Sequence, residues 1–455
     1  MERKYYDLTS GQKLLVQSQK FSLHKSVNNI CTSILMDKAL DFHVLKEAIE
    51  KEYERNDALR IRVLKVDGEM KQYFEEYEKP SIEYLDFRGK TKEKMEEALY
   101  AIAGKKITIY GKPMSKVYLM HSYDGRCGLA SVISHFLLDF WGVSVFYSDI
   151  LKIYESLVNG GDMPKPLYPY EELLVEELNY KNTDRYIKDH EYFTKIIDEG
   201  EPIFNSINGY SVLEKYRNKK KNPNLRYASE FTLLTKGEHT DRSFPKDLLE
   251  KMGSYCASNK VTLQSIFALA YRSYISKINN NEEDVSLVFI AARRSTLNEK
   301  NSGGSRATAL PLRTIIEKDV AVKDAFELID RKVTELYRHA SIDYLEVMDM
   351  LKKKYNAPPI SDYAAEVFSF QPEKLAGPGG SEVEIKWYGN GTSPSAFFLT
   401  IMDGGASCGF SFDYEYRVHT VPNETVEKIH SYMIKAIEAV ISKEGITIGD
   451  LLEIE

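Results

Sequence analysis

The sequence predicts an α/β protein built as two lobes, and three observations lead there. Strand-length apolar or alternating runs exchange with helical periodicity along the chain, the pattern of helices laid on a sheet. The 455 residues, 43% of them hydrophobic, are enough for two separate cores. A stretch with three prolines and little periodicity, Pro164 to Tyr170, divides the pattern in two. We therefore expect an N-terminal lobe over residues 1–168 and a C-terminal lobe over 169–455.

In the first lobe, Tyr5 to Leu8 reads as a short extended segment, and Ser10 is placed to cap the helix that follows. Asn29 to Met36 is rich in strand formers. Ala39 to Tyr53 sets Leu45, Ala48, Ile49 and Tyr53 on one helical face. Leu59, Ile61 and Val63 alternate as in a strand. Met70 to Tyr77 and Lys116 to Tyr123 read as further strands, with a helix from Thr91 to Ala103 between them. The run Gly128 to Ser134 is apolar and of strand length, and Val143, Phe146, Ile150, Ile153 and Leu157 then recur at helical spacing.

In the second lobe, helices are expected from Tyr170 and over Asp184 to Ile197, then a polar, basic surface loop from Glu201 to Tyr227. Tyr227 to Leu234 alternates like a strand. Pro245 to Ser258 and Thr262 to Ile278 are helices, the second apolar on most faces and so buried. Asp284 to Ala292 is a strand ending in Arg293-Arg294, and Val322 to Ala340 is a helix. Ser361 to Gln371, Ala396 to Met402 and Cys408 to Tyr416 are strands, the last two joined by a turn at Asp403-Gly404-Gly405. Pro422 to Ser442 closes as a helix.

Composition excludes several classes. The net charge is −7, and the densest basic run, Arg217 to Asn222, is short and reads as a solvated loop, so no nucleic-acid surface is expected. The four cysteines, Cys31, Cys127, Cys256 and Cys408, lie far apart with no C-x-x-C pair, which argues against a zinc site. Free thiols and the lack of a signal peptide point to the cytoplasm. No apolar run approaches the roughly 20 residues of a membrane span.

Chemistry is expected at Ser134-His135-Phe136-Leu137-Leu138-Asp139-Phe140-Trp141-Gly142. His135 falls where a buried strand gives way to a loop and an amphipathic helix, a place where rigid elements present catalytic groups. An imidazole, with an ordinary pKa of about 6.5, suits general-base work near neutrality. Asp139, four residues on, can fix the shape of the loop.

This stretch resembles the His-His-x-x-x-Asp-Gly signature of the condensation domains of nonribosomal peptide synthetases, members of the chloramphenicol-acetyltransferase-like acyltransferases. Other matches follow in order: Leu8-Thr9 with Gln12, Arg55 with Leu59-Arg60, and Leu310-Pro311-Leu312-Arg313 after Gly304, with Asp343 a further match. The resemblance covers nearly the whole chain. It implies two chloramphenicol-acetyltransferase-like α/β sandwich lobes in a V-shaped pseudo-dimer with a tunnel between them and His135 at its middle. It implies an amide- or ester-forming acyltransferase, active in secondary-metabolite synthesis, with His135 as general base or as orienting group. The donor acyl or aminoacyl group would ride as a thioester on phosphopantetheine, on an acyl or peptidyl carrier protein or on CoA. The acceptor would be a small amine or hydroxyl compound, and no bound cofactor or metal is implied. Asp139 would be structural, paired with Arg293 or Arg294.

Departures from the family pattern concern substrate rather than His135. Ser134 stands for the first His, Phe140 for the Gly after Asp, and Thr308 for an Asn. With Trp141 and Gly142 these are the residues expected to shape the tunnel: Phe140 either narrows it or turns into the core while Gly142 supplies a flexible turn. Gly303-Gly304-Ser305 is similar to a carrier-protein serine site, but the following Thr-Ala-Leu-Pro-Leu-Arg fits a strand, not the helix of a carrier. No adenylation signature accompanies it, so a stand-alone enzyme is expected. The alternative is a catalytically silent relative that binds a carrier domain or another part of a synthetase.

Overall fold

The structure is a computed structural model that describes residues 3–403 and 409–455. The expected turn residues Gly404 and Gly405, and Cys408, lie outside the described residues. The strands are β1 (Tyr6–Asp7), β2 (Asn29–Met36), β3 (Ile61–Val66), β4 (Glu69–Phe74), β5 (Ile82–Asp86), β6 (Ser115–His121), β7 (Cys127–Ser134), β8 (Gly237–Ser243), β9 (Asp284–Ala291), β10 (Thr308–Ile315), β11 (Glu366–Gln371), β12 (Glu384–Tyr388), β13 (Phe397–Asp403) and β14 (Phe410–Arg417).

Two mixed sheets organise two α/β sandwich lobes. The first has the order β12-β2-β7-β6-β5, the second the order β10-β9-β11-β13-β14-β8, and β1-β4-β3 form a small ribbon beside the first. In the first sheet β7 is central, and both its faces are covered because its side chains are buried throughout. Helices Phe42–Arg55 and Phe140–Asn159 cover one face through Leu45, Ile49, Val143, Phe146 and Ile150. Helix Lys92–Ala103 covers the other through Met95 and Leu99, which meet Cys31, Tyr118 and Val132.

The second sheet is helix-covered on one face only. Its odd-numbered β9 residues and Phe368, Leu399, Phe412 and Tyr414 pack against helices Leu263–Ile278, Val322–Arg338 and Glu424–Ser442. The opposite face carries Val288, Ile290, Val367, Phe398, Thr400, Asp413, Glu415 and Arg417, and these line a cavity between the lobes. Among the described residues no helix is long and apolar enough to cross a membrane.

Several elements differ from the expectation. Tyr227 to Leu234 is not a strand; the edge strand is β8, which begins at Gly237 and pairs with β14 from Gly237↔Arg417 to Ser243↔Ser411. The polar stretch 201–227 contains a helix, Ser211–Lys220. Thr9, not Ser10, caps the first helix, in a reciprocal box with Gln12. Leu59 lies in a 3₁₀ turn, Asp57–Arg60, and the strand begins only at Ile61. Strand β5, helix Tyr344–Lys354 and strand β12 were not expected. Strand β12 is the most consequential: it leaves the second half of the chain and pairs antiparallel with β2 on the edge of the first sheet.

Glu366, at the start of β11, is fully buried and accepts hydrogen bonds from the Ile207 N–H at 2.6 Å and the Ala365 N–H at 3.3 Å. Burial, then the nearby Glu230, push its carboxyl up to about 8. The native state therefore holds a proton that the unfolded chain releases near pH ~4.3. Stability from this group is full below that pH and is lost as the pH rises through about 8. Glu366→Gln keeps an acceptor and removes the titration. We expect its denaturant midpoint to fall less than that of wild type between pH 6 and pH 9. At pH 9 the variant gains ~1 kcal/mol or more, one pKa unit being about 1.36 kcal/mol. Parallel profiles for the two proteins would refute this.

Candidate active site

His135 follows β7 directly, and its N–H donates to the Asn28 carbonyl at 2.6 Å, which holds the strand end. Phe136, Leu137 and Leu138 are all buried in the first-lobe core, so the three residues between His and Asp anchor the loop rather than face substrate. Asp139 caps helix Phe140–Asn159 by accepting from the Gly142 N–H at 2.8 Å. The spacing of His135 and Asp139 is thus one strand-to-helix turn with an apolar clamp.

Asp139 also joins the two lobes. Its Oδ1 accepts from Arg294 Nη2 at 3.1 Å, and its Oδ2 accepts from the backbone N–H groups of Arg306 at 2.7 Å and Ala307 at 2.8 Å. Burial pulls the carboxyl up, but Arg294 and these N–H donors outweigh it and hold it below the usual carboxylate range. Arg294 also donates through Nη1 to the carbonyls of Glu299 and Ser302 and through Nη2 to those of Gly303 and Gly304, at 2.7 to 3.2 Å, while its buried Nε has no partner among the described residues. The side chains of Arg294 and Asp139 are 0% and 2% exposed. Of the two arginines left open by the sequence, Arg294 is the partner. Arg293 adopts φ +55°, which turns the chain so that its own guanidinium meets Glu177 instead.

The second-lobe loop over Ser302 to Ala307 is moulded to this junction. Gly304 has φ +85°, and a Cβ there would lie 2.0 Å from the Tyr170 ring. Tyr170 is buried under the loop and donates its hydroxyl to the Ser305 carbonyl at 3.2 Å. Gly142 is helical and supplies no turn; it is small because the Gly304 carbonyl approaches to 2.8 Å of where its Cβ would stand. This arrangement brings Ser305 Oγ to 3.3 Å from His135 Nδ1. Among the described residues His135 Nε2 has no hydrogen-bond partner, and the half-buried ring lines the cavity.

The cavity holds about 1,120 Å³ and is lined from both lobes, by His135, Asp139 and Phe140 on one side and Arg293, Ser305, Arg306 and Thr308 on the other. Phe140 is packed into the first-lobe core and stacks on Trp387 of β12, with ring centroids 5.9 Å apart and an interplanar angle of 23°. Phe140 thus packs in the core and also lines the cavity. Three residues expected to shape the tunnel are set back from that wall. Ser134 is buried and accepts from the Phe136 N–H, Gly142 contacts Gly304, and Trp141 donates its indole N–H to the Lys300 carbonyl at 3.1 Å.

Next to the β8 edge of the second sheet, β14 alternates Phe412, Tyr414 and Tyr416 toward the core with Asp413, Glu415 and Arg417 toward the cavity. Asp413 pairs with His239 Nε2 at 3.0 Å. Burial pushes the Glu415 carboxyl up to about 7, against the pull of His239 and Ser393. No cluster of three or more metal-ligating side chains occurs among the described residues.

Four site residues escaped the sequence. In the sequence Ser305 stands out only for its Gly-Gly-Ser context and Tyr170 only as a helix start, and Glu177 and Trp387 carry no local signal. Helix Tyr170–Asn179 is placed by Asp57, whose carboxylate accepts from the N–H groups of Tyr170 and Glu171 at 2.9 Å, and no local pattern signals so distant a cap.

A family model described as the condensation domain matches residues 2–451. Over 99% of its length the chain is 22% identical to surfactin synthase subunit 1 of Bacillus subtilis (strain 168) and 20% identical to tyrocidine synthase 3 of Brevibacillus parabrevis. It spans only 12% and 6% of those two proteins. Its fold matches the first condensation domain of the calcium-dependent antibiotic synthetase with a TM-score of 0.81 at 15% identity, covering 99% of both chains. It matches the starter condensation domain of rhizomide synthetase, solved with C8-CoA, with a TM-score of 0.80 at 15% identity, covering 98% of this chain and 97% of that one. With the family model spanning nearly every residue, the chain belongs to the condensation-domain family of nonribosomal peptide synthesis.

Proposed function

We propose that this protein is an acyltransferase that joins an acyl or aminoacyl thioester to an amine or hydroxyl acceptor, with His135 as the base. The observation that carries the reading is the placement of His135: Nδ1 meets Ser305 from the opposite lobe, Nε2 has no hydrogen-bond partner among the described residues, and the residue lines a cavity that both lobes share. In this reading Nε2 takes the proton of the acceptor as its nitrogen or oxygen attacks the thioester carbonyl. The new C–N or C–O bond forms, the C–S bond breaks, and the thiolate leaves as a thiol with the proton returned by the imidazolium. Asp139 and Arg294 keep the His135 loop in register with the second lobe without touching substrate. The donor arm is phosphopantetheine, on CoA or on a carrier protein, as the C8-CoA complex of a related fold suggests. We place the lobe boundary at 168/169, with β12 returning to the first sheet.

The test is to offer acyl-CoA, acyl-carrier and acyl-N-acetylcysteamine donors with a panel of amines and alcohols, and to follow thiol release and product mass. Release that depends on the acceptor supports the reading. Acceptor-independent release is thioester hydrolysis and removes the transfer reading; no release with any donor removes it too and leaves a carrier-binding protein.

The Phe140–Trp387 stack sets an expectation on selectivity. Removing the ring by Phe140→Gly opens the wall beside His135, so branched and aromatic donors should be consumed roughly tenfold faster relative to acetyl. The substitution removes buried aromatic surface and is assayed below its own melting temperature. An unchanged donor ranking would show that Phe140 acts only in the core.

A further inference from the structure

We propose that the segment 229–235 and the first helix form an apolar lip that holds the acyl chain of the donor, so that the favoured substrates are thioesters of unbranched chains of medium length or longer. The inference rests on the acyl-transfer reading of the cavity. It starts from the one alternating pattern that the fold did not absorb. Tyr227 to Leu234 reads as a strand, yet it joins no sheet; it touches its neighbours through single bridges, Ala228↔Asp362 and Lys236↔Thr392. Its large apolar side chains face outward instead, Leu234 among them at 49% exposed. Phe231 is 68% exposed and Leu233 52%.

Opposite them stands helix Ser10–Phe21 of the first lobe, with Leu14 38% and Phe21 62% exposed. The two segments meet where Ser22 Oγ lies 2.9 Å from Thr235 Oγ1. Large side chains from two lobes, exposed together, mark a binding surface rather than incidental composition. The occupant is indicated by continuity: Leu14, Phe21, Phe231 and Leu233 line the same cavity as His135, and Val27 and Ile30 line it with them. A folded partner would cover the lip but would not need the interior lining. A hydrocarbon chain attached to the reacting carbonyl uses both.

The experiment measures binding of acetyl-, hexanoyl- and dodecanoyl-CoA to the intact His135→Ala chain, so that turnover does not interfere. Buried methylenes are worth ~0.8 kcal/mol each at most, so affinity should rise by up to roughly fourfold per methylene and by tenfold or more across the series. In a Phe231→Ser, Leu233→Ser background, dodecanoyl-CoA should bind no more tightly than acetyl-CoA does. Both positions are exposed, and a melting curve matching that of wild type confirms folding. Should the variant fail to fold, Leu14→Ser on the other side of the lip replaces it. A flat series with measurable binding overturns the lip and leaves acyl transfer standing. A steep series that persists in the variants overturns the assignment to these residues. Failure of every thioester to bind overturns the acyl-transfer reading itself.

Discussion

His135→Ala should lower acceptor-dependent thioester consumption by at least ~100-fold, the lower end of what a positioned general base contributes. The fold should survive. The loop is held by the His135 backbone N–H on the Asn28 carbonyl, by the buried Phe136, Leu137 and Leu138, and by the Asp139 cap, none of which uses the imidazole. Ser305→Ala serves as a graded companion. It removes the 3.3 Å contact to Nδ1 that orients the ring, so it should raise the barrier by less than loss of the ring does. The measurement is the initial rate of thiol release with and without acceptor for the three proteins at equal folded concentration. Equal rates in wild type and His135→Ala would sink the catalytic reading.

The path from β7 through His135 to its helix was legible because every signal in it is local. A largely apolar run gives the central strand, and Val143, Phe146, Ile150 and Ile153 at helical spacing give the helix that packs on it. The limits of β2 were readable for the same reason, since all eight of its residues are buried and Ile30, Thr32 and Ile34 are β-branched. Strand β12 was not. It is only five residues long, Glu-Ile-Lys-Trp-Tyr, two of them charged, and the partner that makes it a strand is β2, from the other end of the sequence. Periodicity reports which face of an element is buried; it says nothing about which sheet receives it.

The site shows the same division. Asp139 could be assigned a structural role from the family pattern, but two adjacent arginines offered equal partners. Their positions in the fold separate them: Arg293, at a positive φ, pairs with Glu177, and Arg294 pairs with Asp139. Tyr227 to Leu234 misled for the opposite reason. The period-two pattern is in the sequence alone: Glu230, Phe231, Thr232 and Leu233 all line the cavity rim, and the segment joins no sheet.

Asp139→Ala should destabilise the protein by ~3–5 kcal/mol, the cost of breaking a buried ion pair from one side. The carboxylate accepts from four donors: the Gly142, Arg306 and Ala307 N–H groups and the Arg294 guanidinium. Alanine leaves the three N–H groups without their acceptor and Arg294 buried with carbonyls alone. Because Arg294 belongs to the second lobe, the loss also loosens the lobes where His135 meets Ser305, so activity should fall even in the folded fraction. Asp139→Asn keeps one acceptor and should cost less than Ala. The carboxyl is held below its ordinary range, so this stability is present above the unfolded value of about 3.9 and fades as the pH drops below it. Denaturant titrations of wild type, Asp139→Asn and Asp139→Ala at neutral pH should rank them in that order. At a pH low enough to protonate the folded carboxyl, the gap between wild type and Asp139→Asn should close. A melting curve for Asp139→Ala that overlays that of wild type would mean that the four donors find other partners and that this junction does not hold the lobes.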